Sequence, residues 1–85
     1  MRENATERTA TYIGMTIASL ERLRVRSLPG TVKESQVQYL LDLVRGYVKD
    51  AKHYAERRRP VTSLACVAYA EGLLDTMRLL DLVEF

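Results

Sequence analysis

Hydrophobic residues recur along the chain at intervals of three and four, the period of one helix face, in three successive stretches separated by two breaks. The first stripe is Ile13, Ile17, Leu20 and Leu23, with Tyr12 and Thr16 beside it, and Asn4 stands three residues before Glu7 at the spacing of a capping box. This predicts a helix over roughly residues 5–27. Gly14 inside it costs about 1 kcal/mol relative to alanine, so it either admits a close contact or lies on the outside. At Leu28-Pro29-Gly30-Thr31 the pattern stops, because proline disfavours helix in the residue before it and glycine turns freely.

The second stripe is Val37, Leu40, Leu41, Val44, Tyr47, Val48, Ala51, Tyr54 and Ala55, and Asp42, Arg45, Lys49, Lys52 and Glu56 lie opposite it. It predicts a helix over roughly residues 32–58, opened by the capping-box spacing Thr31-Val32-Lys33-Glu34. Arg57-Arg58-Arg59 closes it, where cations favour the negative end of the helix dipole, and Pro60 suits the first turn of a third helix over roughly residues 60–80. There Val61, Ala65, Ala68, Gly72 and Asp75 fall on one stripe of small residues, broadened by Leu64, Leu73, Met77 and Leu80. Small side chains let helix axes approach more closely than the usual 8–10 Å or so, so this stripe is expected to press against a neighbouring helix. No segment alternates with period two. Three amphipathic helices with two short connections make neighbours antiparallel, so the predicted fold is all-α, an antiparallel up-down-up three-helix bundle forming one domain over residues 1–85.

Composition narrows the class. Hydrophobic content of 47% and charged content of 28% in 85 residues are those of one folded domain. No apolar run nears the roughly 20 residues that span a bilayer, and the opening Met1-Arg2-Glu3-Asn4 is polar, so neither a membrane helix nor a signal peptide is expected and a cytoplasmic location is. Cys66 is the one cysteine and His53 the one histidine, so neither an internal disulfide nor a cofactor or metal signature is readable. A formal charge of +2 is too weak a bias to argue nucleic-acid binding by itself.

Several runs together resemble the DUF357 family of short archaeal proteins of unknown function. They are Tyr12-Ile13-x-Met15-Thr16-x-Ala18, the Pro29-Gly30 break, Tyr47-x-x-Asp50-Ala51-x-x-Tyr54, and Ala65-x-x-x-Tyr69-Ala70-x-Gly72-x-Leu74-Asp75. The resemblance covers almost the whole chain. It implies a small all-α protein of archaeal source and implies no activity. The chain departs from the family pattern at the second turn, where Arg58-Arg59 replaces a Gly-Asp pair, and near Asp81, where a glycine is missing.

Tyr47, Asp50, Tyr54, Tyr69 and Asp75 are the candidate polar cluster. Tyr47, Asp50 and Tyr54 share one side of the second helix, and if that side meets Tyr69 and Asp75, two carboxylates and three phenols could act as acid and base or bind a cation. The plainer reading, preferred here, is that tyrosine hydroxyls satisfy aspartates at a helix contact. Arg57, Arg58 and Arg59 form a candidate basic patch, with Arg22, Arg24 and Arg26 expected at the opposite pole; no stacking aromatics are interleaved, so a solvated helix end is preferred to a nucleic-acid site. Cys66 reads as a near-core residue, and a triad from Ser63, His53 and Asp75 has no support from spacing.

Val25, Leu28, Leu82, Val83 and Phe85 exceed what a three-helix core needs, and such a surplus is expected to form an association patch. The expected function is therefore a non-catalytic protein-interaction or scaffold module that self-associates as a homo-oligomer. Nucleic-acid binding through the arginine-rich helix ends is the alternative, and no enzyme activity is expected.

Overall fold

The structure, a computed structural model, describes residues 4–85, so the polar opening Met1-Arg2-Glu3 lies outside the described residues. In chain order the elements are α1 (Ala5–Arg22), β1 (Arg24–Val25), α2 (Glu34–Glu56), α3 (Pro60–Leu79) and β2 (Val83–Glu84). Three helices dominate, and the fold is all-α with a two-residue ladder added at one end. Near the starts of α1 and α3, Thr9 Oγ1 donates to the Pro60 carbonyl at 3.2 Å, and further along Thr16 Oγ1 donates to Glu71 Oε1 at 3.2 Å. These two helices therefore rise together. Ser63 Oγ, near the start of α3, donates to the Ala51 carbonyl, near the end of α2, so α2 runs against both. Contacts of α3 with α2 and with α1 outweigh those between α1 and α2, and the body measures 47 × 23 × 18 Å.

The main core joins Val37, Leu41, Val44 and Val48 of α2 to Ala70, Leu74 and Met77 of α3, with Leu82 and Val83 closing one end. Ile13, Ala51 and Val67 form a smaller cluster toward the other end. The stripe of α3 that faces inward is thus Ser63, Val67, Ala70, Leu74 and Met77. This overturns the expected role of Val61, Ala65, Ala68, Gly72 and Asp75, all of which are exposed. Both stripes recur at helical spacing, but burying a valine, leucine or methionine gains about 1.5–3 kcal/mol each, and the small-residue stripe offers far less. The helix turns its larger side chains inward.

The first helix ends five residues earlier than its stripe implied. Leu23 is extended, with ψ 136°, and β1 pairs antiparallel with β2 in the register Arg24 to Glu84 and Val25 to Val83. The Arg26 N–H adds a bond to the Leu82 carbonyl at 2.9 Å. From Leu23 to Arg26 half-buried apolar and exposed basic residues alternate, the period-two signature passed over in so short a run. This ladder also corrects the expected apolar patch: Leu82 and Val83 are buried, while Val25, Leu28 and Phe85 pack partly buried on the core. Gly14 proves to be on the outside, with open space where a Cβ would lie.

Caps explain where each helix stops and starts. The Asn4 side chain accepts from the N–H groups of Thr6 and Glu7, as its position suggested. At α2 the start is two residues later than expected: Val32 N–H closes a turn on the Pro29 carbonyl, and the Lys33 N–H is satisfied by Gln36 Oε1 at 2.9 Å. Helices α2 and α3 both end in a Schellman turn. Arg58 N–H reaches the Ala55 carbonyl and Arg59 N–H the Tyr54 carbonyl; Asp81 N–H reaches Arg78 and Leu82 N–H reaches Met77. The residue each turn holds in the left-handed region is Arg58 (φ 57°) or Asp81 (φ 59°), where glycine carries no steric penalty.

The two departures from the resembled family are these same two residues. Arg58→Gly is expected to raise stability in urea unfolding by about 0.5–1 kcal/mol, with a smaller gain for Asp81→Gly because aspartate tolerates this conformation better. Unchanged or lowered stability in the arginine variant would contradict the turn geometry. Leu82→Ala, by opening the closed end of the core, is expected to cost about 2–4 kcal/mol in the same measurement.

Candidate functional site

The buried stripes of α2 and α3 decide where the candidate polar residues go. On α2 the inward positions are Val37, Leu41, Val44, Val48 and Ala51, so Tyr47 and Tyr54 fall on the flank of the contact and Asp50 falls outside it. Tyr47 is half-buried and its ring lies 4.5 Å from that of Tyr69, tilted by 36°. Tyr69 itself stands 56% exposed at the rim of the α2–α3 contact. Tyr54, at the end of α2, has the Arg59 guanidinium 5.7 Å from its ring centroid and the His53 ring edge-on at 5.3 Å. Asp75 follows Tyr69 by six residues, which places it about 120° away around α3. It pairs there with Arg78 at 3.3 Å, both side chains more than half exposed.

Of the five residues, then, only Tyr47 and Tyr69 meet, and the expected polar cluster does not assemble. Nor does a tyrosine hydroxyl bond to either aspartate among the described residues, so the plainer reading of the cluster is corrected as well. The polar groups buried at helix contacts are Thr9, Thr16 and Ser63, each bonded across to a neighbouring helix. Ser63 was readable, since it opens the spacing that continues through Val67, Ala70, Leu74 and Met77. Thr9 and Thr16 precede Ile13 and Ile17 by four and one, on the edge of the α1 stripe, and a hydroxyl there satisfies itself on its own helix as readily as on a neighbour. The triad is not brought together either: Ser63 is spent on a buried carbonyl, His53 is exposed, and Asp75 lies twelve residues along α3, about 18 Å of helix away.

A groove of about 260 Å³ between α1 and α3 is lined by several polar side chains. Thr16 and Ser19 face Glu71 and Asp75 across it, and Arg78, paired with Asp75, also lies over the Phe85 ring at 4.4 Å. Its carboxylates are thus already engaged, one by a buried hydroxyl and one by a guanidinium. The groove is smaller than the roughly 300–1,000 Å³ of ordinary ligand pockets.

Arg57, Arg58 and Arg59 are all exposed at the pole where α2 ends and α3 begins. Arg58 also lines an apolar depression with Thr6, Thr9, Ala55 and Pro60. Arg22 and Arg24 lie at the far pole beside the β1–β2 ladder, separated from Arg58 by the length of α3, about 30 Å for its 20 residues. The two arginine groups form separate patches.

Cys66 is half-buried on α3. Burial, and after it the nearby Asp50 carboxylate, push its thiol above the ordinary range, because both disfavour the thiolate. The thiol is therefore protonated near neutral pH and a weak nucleophile.

Compared with known proteins, residues 11–83 match the family model described as "Protein of unknown function (DUF357)", and the chain belongs to that family. No curated protein and no solved structure matches the chain.

Alkylation of Cys66 by iodoacetamide should be slow at pH 7 and accelerate with pH, its midpoint lying above that of an unhindered thiol. Asp50→Asn should move that midpoint down, since removing the carboxylate makes the thiolate easier to form. A midpoint at or below the ordinary thiol value would show that the helix contact does not shield the sulfur.

Proposed function

We propose that this DUF357 chain is a non-catalytic protein-interaction or scaffold module that self-associates in the cytoplasm. The observation that carries the reading is the outward face of α3. Val61 is 73% exposed and Leu79 82% exposed, and the only charged residues in the helix are Glu71, Asp75 and Arg78. A surface helix ordinarily sets charged residues opposite its buried stripe, whereas one that is apolar all round is ordinarily covered. Coverage by another chain removes that apolar area from water at about 25 cal/mol per Å². The titratable groups also favour binding over catalysis: Asp50 is exposed on α2, Asp75 is paired with Arg78 on α3, and the Cys66 thiol is held protonated. A reducing compartment suits a chain with one half-buried thiol.

A second reading, nucleic-acid binding, is favoured by the three consecutive exposed arginines Arg57, Arg58 and Arg59. It ranks below the first because the remaining arginine group sits at the other end of the molecule, so no continuous basic track follows a phosphate backbone.

Light scattering coupled to size exclusion, at low and high salt with absorbance at 260 and 280 nm, separates the two. The expected outcome is a mass above that of one chain that persists in high salt, with no excess absorbance at 260 nm. A one-chain mass carrying 260 nm absorbance that salt removes would overturn the ranking in favour of the arginine pole.

A further inference from the structure

Along α3 the exposed positions Val61, Ala65, Ala68, Gly72, Thr76 and Leu79 follow one another at intervals of three and four, a single face about 27 Å long without a charge at its centre. The ends of that face differ in charge, the first purely basic and the second mixed. Arg57, Arg58 and Arg59 stand at its start, and no acidic residue occupies the first turn of α3 to balance them. Asp75, Asp81 and Glu84 stand toward its end, all exposed, with Arg78 paired to Asp75 and Arg24 opposite Glu84 in the ladder.

Resting on the self-association proposed above, we propose that this face is where a second copy of the chain docks, with the two α3 helices antiparallel and Ala68 at the two-fold axis. An isologous contact must satisfy itself, residue i meeting j and j meeting i. With Ala68 opposite Ala68, Ala65 of one copy meets Gly72 of the other, and Val61 meets the level of Asp75 and Thr76. The centre is built only of alanine and glycine, so the axes can come close, and Gly72 has open space where its Cβ would lie within the single chain. The arginines of each copy then stand beside the end of the other that holds Asp75, Asp81 and Glu84, away from the partner's own three arginines, and the helix dipoles oppose. A parallel pairing would instead bring arginine against arginine.

The test begins with the mass of the wild-type chain by light scattering from micromolar to millimolar concentration. It continues with Ala68→Glu, a near-neutral change for an exposed helical position that sets two carboxylates against each other at the axis. Association should weaken by more than about a hundredfold while the circular dichroism of the monomer is unchanged, and Tyr39→Glu, on an exposed part of α2, should leave association intact. Orientation is read by cysteines placed in a Cys66→Ala chain: Val61→Cys and Asp75→Cys chains, mixed and oxidised, should form the mixed disulfide in preference to either self-linked product. Self-linking of Val61→Cys would overturn the antiparallel geometry. An oligomer indifferent to Ala68→Glu would overturn this face as the interface yet leave self-association through another surface standing. A wild-type chain that stays monomeric throughout would overturn both, including the case in which a different protein covers the face.

Discussion

The inward stripe Ser63, Val67, Ala70, Leu74 and Met77 of α3 is the constraint on which the fold depends, because both other helices are held to this one. An 85-residue chain has room for a single core, and here it is narrow. Helix α2 supplies four branched residues against Ala70, Leu74 and Met77, while α1 meets α3 through Ile13 and two buried threonines. A hydroxyl helps fix how α1 sits: Thr16 on Glu71 is a bond that sliding one turn along α3 would break, whereas Thr9, which also reaches the Ala5 carbonyl of its own helix, would keep a partner without Pro60. A buried polar group left without its partner costs about 1–3 kcal/mol, so the Thr16 contact favours one register even though it adds little net stability.

A core open at one end must be closed there, and the chain does so with strand geometry. Beyond Met77 the helix could continue only by carrying Leu82 and Val83 away into solvent. The Schellman turn at Asp81 reverses the chain instead, and Leu82, buried beside Met77, makes the hydrophobic contact that accompanies such turns. The returning segment then needs partners for its backbone groups, and the extended stretch from Leu23 to Arg26 supplies them. The early end of α1 and the burial of the C-terminal apolar residues are therefore one event.

Helical periodicity made three helices and their antiparallel order legible, since Val37 through Ala51 admits hardly any other reading. What periodicity could not fix was rotation. Helix α3 is apolar on both sides, so its spacing supports two inward stripes equally, and only the volumes of Val67, Leu74 and Met77 against those of Ala65, Ala68 and Gly72 decide between them. The candidate cluster failed on angle as well: six residues separate Tyr69 from Asp75, nearly two turns along α3 but about 120° around it, so the two cannot face one contact whichever stripe turns inward. The arginines at the turns were legible as dipole compensation but not as left-handed residues, because a backbone angle follows from where the chain must go next rather than from the side chain occupying it.

The ambiguity that misleads a reading of α3 and the surface that its resolution leaves exposed have one origin. Charged residues on that second stripe would have improved solubility, and their absence there is the observation on which the proposed self-association rests. The outward stripe is nevertheless built of the residues that expose least apolar area individually, alanine and glycine at its middle, with Val61 and Leu79 at its ends. Such a face is tolerable in water while the chain is alone and permits close axial approach when it is not. Its charges lie toward the two ends of the helix, three arginines at one and a mixed, mainly acidic set at the other, and in the pairing proposed above they would leave the middle free while setting which way the second copy runs.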